Sequence, residues 1–409
     1  MGFQQGLSGL NAASKSLDVI GNNVANASTV GFKGSQAQFA DVYASSLAGS
    51  GAGQIGIGVN VATVAQQFTQ GNITSTNNSL DMAVSGAGFF RMDENGSISY
   101  SRNGQFQMDK NGFIVDSQGK KLTGFLTNAA GAIVATTPAD LQISTADLLP
   151  SATSTVTAGL NLDSRLTAPA VAPFDPTNSS TFNSSTSTTI YDSLGGSHSA
   201  SMYFVKTGVN TWNSYLTVDG ALVPVSAPPT PLTAMTFSSS GVLTAPVGAV
   251  TSASFTPSGG GGAQTVSFDF SSTSQFGSTF GVNSLSQNGF TSGHMTGFST
   301  GSDGIISGRY SNGQTKTLGQ VVLANFSNAQ GLQPLGNNNW AETSTSGTPL
   351  VGAPGSASLG VLKTSATEDS NVDLTAELVN MITAQRVYQA NAQTIKTEDQ
   401  IMQTIVNLR

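Results

Sequence analysis

Large apolar residues recur near the start of the chain at Phe3, Leu7, Leu10, Leu17 and Val24, spaced by four, three, seven and seven positions. Ser14 and Gly21 fill the two gaps, and Ala13 and Ile20 widen the stripe. This is heptad spacing, and it predicts a helix over residues 1–30 with a seam of mixed large and small residues. The far end repeats the pattern at greater length. Leu374, Leu378, Met381, Gln385, Tyr388, Ala392, Ile395, Asp399, Met402 and Val406 alternate at four and three, with Val379, Ile382, Ile401, Ile405 and Leu408 thickening the face. The segment SNVD (Ser370–Asp373) places capping residues just before it. At ~1.5 Å per residue this second helix is roughly 50 Å long.

Between the two helices the period changes from about seven to two. Short alternating runs such as SISYSR, QFQMDK and FIVDS are separated by Asn95-Gly96, Asn103-Gly104, Asn111-Gly112 and Gln118-Gly119. Such dipeptides supply the positive φ that tight hairpins require, so a series of hairpins is expected over 72–147. Hairpin signatures return over 291–365, with Asn312-Gly313 at one turn. The intervening 148–290 is dense in Ser and Thr, with Pro clustered at 224–231, a GGGG run at 259–262, and strands such as SASMYFVKT and TVSFDFSS. It reads as a separate all-β domain inserted into the first. The fold class expected is therefore mainly β with α-helical termini, in nested discontinuous domains. Residues 1–30 and 366–409 form a terminal helical coiled-coil pair, 72–147 and 291–362 a β-rich middle domain, and 148–290 a sandwich- or barrel-like outer domain. Residues 31–71 and 363–365 are expected as a flexible connector, with the Gly-rich Ser45–Gly58 its least regular part.

Composition narrows the function classes. The chain has 409 residues, no cysteine, and only 9% charged residues with a net charge of -7. Disulfides, thiolate metal sites and thiol nucleophiles are excluded. Fifteen Lys and Arg over this length make no basic face for nucleic acid. No apolar run of ~18 residues exists to span a membrane. The N-terminus lacks a basic n-region and an unbroken apolar h-region, so export by a cleaved secretory signal is not expected.

Candidate chemistry is thin. His198 and His294 lie far apart in sequence, in no zinc or triad spacing, and read as solvated loop or strand histidines. GAGQIG (Gly51–Gly56) formally matches a dinucleotide fingerprint, but no helix follows it. No P-loop, zinc-protease, EF-hand or nucleophile-elbow motif is present. No catalytic, metal or cofactor site is expected, and the chain does not read as an enzyme.

The segment GNNVANASTVGFK (Gly21–Lys33) carries the exit from the first helix. Gly21 and Gly31 allow tight turns, and Asn22, Asn23 and Asn26 can cap or occupy left-handed conformations. Phe32 is expected to anchor the connector in an apolar contact and Lys33 to face polar neighbours. A pair of helices this apolar leaves part of its stripe uncovered, and a ~20-residue helix is marginal alone in water. Neighbouring copies supply the missing cover, and heterologous contacts that do not close give a helical tube. The residues expected at such an assembly interface are Leu7, Leu10, Leu17, Ile20, Val24, Leu374, Leu378, Met381, Tyr388, Ile395, Met402 and Val406.

The segments GLNAASKSLDVIGNNVANASTVGFKGSQAQF, LDMAVSGAGFFRM, SYSRNGQFQMD, LGQVVLANFSNAQGL and the last forty residues from Ser370 occur in an order that resembles the rod and hook family of flagellar axial proteins. The likeness covers nearly the whole chain and is weakest over 148–290. A large inserted domain is similar to the hook branch rather than to the shorter rod members. The resemblance implies a structural subunit of a curved, torque-transmitting tube whose inner helices line a central export channel. It implies as partners further copies of the chain, the distal rod, the hook cap, the hook–filament junction proteins and the type III export apparatus. The location implied is the extracellular part of the flagellum. A rod or junction component, and a secreted β-rich adhesin with helical ends, are the alternatives.

Overall fold

The computed structural model describes residues 2–42, 56–128 and 131–407. It is mainly β with one helix at each end, α1 (Gly2–Ala25) and α2 (Leu374–Asn407). The chain divides into two compact units, one of residues 1–144, 297–309 and 315–409, the other of 145–296 with 310–314.

α1 stops at Ala25, short of the expected residue 30. The physical reason is local. Asn26 Nδ2 donates to the Asn22 carbonyl and side-chain oxygens at 3.0 and 2.7 Å, and the Thr29 hydroxyl donates to Asn26 Oδ1 at 3.3 Å. Such side chains offer the backbone an alternative to the helical ladder. α2 starts where Asp373 caps it, its Oδ1 accepting the Thr375 and Ala376 amides at 2.9 and 3.2 Å.

Part of the expected connector is regular. β1 (Ser35–Val42) pairs antiparallel with β2 (Gly58–Gln66), from Ser35↔Gln66 to Val42↔Gly58, with an irregularity at Gln38/Phe39. The alternation Gln36-Ala37-Gln38-Phe39 is the period-two signal that an irregular reading of this segment overlooks. Most of the expected Gly-rich loop at 45–58, and Gly51–Ile55 of the fingerprint match with it, lies outside the described residues.

In the first unit, β3 (Ile73–Ser75), β4 (Met82–Ser85), β5 (Phe89–Glu94) and β6 (Ser97–Ser101) follow in order. The main sheet runs 295–300, 305–310, 315–321, 121–126, β5, β6, 339–341 and 333–336. Three strands from before the insertion (121–126, β5 and β6) lie side by side and are flanked on both edges by strands from after it, which is how a chain closes a domain around an insertion. Phe89, Tyr100, Phe326 and Trp340 pack edge-on at the core, and Phe68, just past β2, meets Phe89 at 5.5 Å.

Asn95-Gly96, with φ of 54° and 91°, joins β5 to β6, and Gly112, Gly119 and Gly313 also turn at positive φ. Asn103-Gly104 forms no hairpin. The Gly104 carbonyl accepts the Met82 amide at 2.9 Å, and a Cβ at Gly104 would collide with the Met82 backbone. This glycine serves a backbone crossing instead of a turn.

In the second unit two sheets share one core. The first is ordered 250–251, 267–269, 155–163 and 274–276, with 281–287 also on 155–163. The second is ordered 184–191, 197–208, 211–218, 233–237 and 243–245, with 221–223 on 211–218. Val156, Leu160, Met202, Phe204, Trp212 and Phe268 are among the residues filling the space between them. Along Ser197–Gly208 every second residue points inward: His198, Ala200, Met202, Phe204 and Lys206 are buried. Strand period thus forces a polar residue inside at each end of the row.

Candidate assembly site

The helix pair holds itself together with small and polar residues. On α1 the buried positions are Gly6, Ala13, Ile20 and Asn23. On α2, Ala384 is buried, Glu377, Asn391 and Glu398 are half-buried, and the four recur every seven residues. A Cβ at Gly6 would come to 3.1 Å from Ile395, one at Gly9 to 2.7 Å from the Asn391 side chain, and one at Gly2 would collide with Glu398. Glycine here lets the helices approach closely. The sequence contains this signal as a stripe of Gly2, Gly6, Gly9 and Ala13, beside the large residues that dominate the heptad reading.

Many of the large apolar residues are therefore left wholly or partly on the outside. Phe3, Leu7, Leu374, Leu378, Tyr388, Met402 and Val406 are exposed, and Leu10, Leu17, Val24, Met381 and Ile395 are half-buried. Met402 is 62% and Val406 70% exposed. Ile20, grouped with these residues in the sequence reading, is buried within the chain's own fold. Between α1, the β1–β2 hairpin and α2 lies a groove of about 790 Å³ whose lining includes Ala12, Val19, Phe39, Val59, Ala376 and Val387.

The exit segment distributes its residues differently from expectation. Gly21 and Asn22 and Asn23 lie inside α1, and no Asn from 22 to 26 takes a positive φ; Gly31 does, at 72°. Asn23 is buried and knits three elements. Its Nδ2 donates to the Ser35 carbonyl at 2.8 Å and to Glu377 Oε1 at 3.0 Å, and its Oδ1 accepts the Ser35 amide at 2.9 Å. Asn371, just before α2, bridges the two segments that flank the β1–β2 hairpin, accepting the Gly34 amide at 2.8 Å and donating to the Gln67 carbonyl at 2.6 Å. Phe32 is half-buried and lines a cavity with Pro334 and Trp340.

Lys33 is fully buried. Its Nζ lies 2.6 Å from Glu368 Oε1 and donates to the Thr69 carbonyl at 2.8 Å. Arg102 Nη1 reaches Glu368 Oε2 at 3.2 Å, Nη2 donates to the Gly86 carbonyl at 2.8 Å, and the guanidinium sits 5.2 Å from the Phe89 ring centroid. The Gly71 amide donates to Glu368 Oε1 at 2.9 Å, and the Gly31 amide to the Glu368 carbonyl at 2.7 Å. Two cations thus share one carboxylate, and main-chain carbonyls and a ring face take up the surplus positive charge. Burial pulls the pKa of Lys33 and of Arg102 below the ordinary values, with Glu368 opposing it in both. This cluster joins the segment leaving α1, the segment entering α2 and the end of β6. Sequence reading found Lys33 but missed Arg102 and Glu368, because a pairing across hundreds of residues leaves no local spacing.

His198 is corrected. It is buried, with Nδ1 2.7 Å from Asp219 Oδ2 and Nε2 3.4 Å from Asp192 Oδ2. His294 is exposed and lies 2.6 Å from Asp147. Among the described residues no group of His, Cys, Asp and Glu is arranged to hold a metal ion, and no helix is long and apolar enough to cross a membrane.

Comparison with known proteins gives this architecture a class. Four family models match in chain order: Flagella basal body rod protein over residues 3–33, Flagellar hook protein FlgE/F/G D1 domain over 83–158, Flagellar basal body protein FlaE D2 domain over 161–290, and Flagellar basal body rod FlgEFG protein C-terminal over 363–408. These are parts of axial subunits of the bacterial flagellum. The flagellar hook protein FlgE of Salmonella typhimurium is 43% identical with all of both chains covered, and that of Borreliella burgdorferi 31% identical over 99% of this chain and 98% of its own. The chain belongs to the flagellar hook protein family. Its fold is also similar to a crystal structure of the Helicobacter pylori flagellar hook protein FlgE2, with a TM-score of 0.51 and 15% identity over 72% of this chain and 99% of that one.

Proposed function

We propose that this chain is the structural subunit of the flagellar hook, polymerising through the apolar face of its terminal helices into a curved tube that transmits torque. The family is structural and not an enzyme family. The observation that carries the assembly reading is the division of labour on the helices: mainly small and polar side chains, with Ile20, are buried within the chain, while Phe3, Leu7, Leu374, Leu378, Met402 and Val406 are left exposed. Burying such a face against neighbours is favourable at about 25 cal/mol per Å², and non-closing heterologous contacts extend into a tube.

In this reading residues 1–30 and 366–409 form the inner domain, 31–71 and 363–365 the connector, 72–147 and 291–362 the middle domain and 148–290 the outer domain. The buried Lys33–Glu368–Arg102 cluster fixes where both helices leave the β structure, so torque passes through a braced junction. The low charge and Ser/Thr/Asn-rich surface support sliding between subunits through exchangeable hydrogen bonds. The distal rod, hook cap, junction proteins and type III export apparatus are the further partners. The test is negative-stain electron microscopy of the full chain under polymerising salt, beside a chain lacking 1–30 and 366–409. Curved tubes are expected from the full chain alone. Tubes from the truncated chain would refute the role given to the helices.

A further inference from the structure

The outer domain buries one group that neither its core nor the assembly reading uses: His198, at the end of an inward-facing row. Both its ring nitrogens face carboxylates, Asp219 Oδ2 at 2.7 Å and Asp192 Oδ2 at 3.4 Å. A neutral imidazole carries one N–H and donates to only one of them. The imidazolium donates to both. The two carboxylates are themselves anchored to loops. Asp192 Oδ1 accepts the Leu194 and Gly196 amides at 2.9 and 2.7 Å, closing the 192–196 turn. Asp219, in the 218–221 turn, accepts the Ser199 amide at 3.0 Å on Oδ1 and the Ser258 hydroxyl at 3.0 Å on Oδ2. The glycine-rich 258–262 loop closes over them, with a Cβ at Gly261 coming to 2.6 Å from Asp192 Oδ2 and the Gly262 amide donating to Ser193 Oγ at 3.2 Å.

We infer that Asp192, His198 and Asp219 form a pH-sensitive clasp that ties three loops at one end of the outer domain, closed when His198 is an imidazolium and loosened when it is neutral. Within the loops 192–196, 218–221 and 258–262, the charged groups facing the ring are Asp192 and Asp219, and no cation opposes protonation. Burial lowers the affinity of His198 for its proton, but the Asp219 and Asp192 hydrogen bonds outweigh it and its pKa lies above the ordinary value. Burial would raise Asp192 and Asp219, yet amide donors and His198 bring both below the usual carboxylate range. The sign follows. A histidine pKa raised on folding contributes stability fully present below the unfolded value of about 6.5, and lost as pH rises through the folded value. Loosening exposes polar loop backbone at that end of the domain and changes the surface it offers to neighbours.

The test uses the whole 409-residue chain, whose two histidines make the signals few. The H294Q variant assigns the His198 ring signal in a carbon-13 NMR titration. The expected midpoint lies above ~6.5, each unit of excess being about a tenfold bias toward the closed clasp. Amide exchange at Leu194 and Gly196, corrected for intrinsic rate, should accelerate across the same midpoint. Asp219→Asn should lower the midpoint and shrink the exchange step, and His198→Gln should remove the step. A midpoint at or below the ordinary value overturns the clasp, and so does a raised midpoint that leaves exchange at 194 and 196 unchanged.

Discussion

Replacing Glu368 with glutamine is expected to destabilise the first unit by about 3–5 kcal/mol, the cost of leaving buried charges without their counter-ion. Glutamine keeps the shape and the capacity to accept from the Gly71 amide, so packing changes little. What is lost is the negative charge shared by Lys33 at 2.6 Å and Arg102 at 3.2 Å. Arg102 stays charged, whereas Lys33 can shed its proton. Burial already lowers Lys33 from 10.5, and Glu368 is the group that opposes this. In the variant the lysine pKa falls further. Between that lowered value and 10.5 the unfolded state binds more protons than the folded one, so stability rises with pH. Thermal melts of E368Q should therefore show a large deficit near neutrality that narrows as pH is raised. A deficit under about 1 kcal/mol at neutral pH, the range of an exposed pair, would mean that the cluster does not brace the junction.

The second large effect separates two glycines in one short segment. Gly31 has φ of 72°, and a Cβ there would lie 2.5 Å from the Asn103 amide nitrogen and 2.7 Å from the Arg102 carbonyl carbon. Left-handed backbone costs an L-residue about 1–2 kcal/mol before any collision, and these neighbours are main chain that cannot swing aside. Gly31→Ala should thus pull the Gly31 amide off the Glu368 carbonyl, loosen the exit from α1 and abolish tube formation. Gly21 is helical, and a Cβ there meets nothing within 4 Å. Gly21→Ala should instead stabilise α1 by about 0.5–1 kcal/mol. Melting and polymerisation assays on the two variants should move in opposite directions. Equal responses would remove the distinction between a turn glycine and a helix glycine.

The contrast between these glycines shows what was readable in the chain. Periodicity located both helices, the hairpins at Asn95-Gly96 and Asn312-Gly313, and the all-β character of the inserted segment, because each rests on local spacing. It did not locate the end of α1, since the balance between helix and side-chain capping at Asn22, Asn26 and Thr29 is a fraction of a kcal/mol per residue. Nor did it assign faces. The heptad runs through Leu7, Leu10 and Leu17, but in this fold Gly6 and Gly9 face α2 and Ala13 is buried, because small residues permit the closer approach. His198 reads in sequence as a solvated loop or strand histidine, because the Asp192 and Asp219 that flank its buried ring carry no recognisable spacing. Glu368, Arg102 and Lys33 meet only through tertiary structure, and charge counting along the chain cannot pair them.

The account rests on the claim that the uncovered apolar face of the helices is the polymerisation surface. The most direct measurement is electron microscopy of the Leu378→Asp, Met402→Asp double variant under polymerising salt, with a thermal melt of the same preparation. Both side chains are exposed, 45% and 62%, and neither is among the buried residues of the helix pair. The account predicts a monomer that melts within about 0.5 kcal/mol of the parent and forms no tubes. Normal curved tubes from this variant would contradict it.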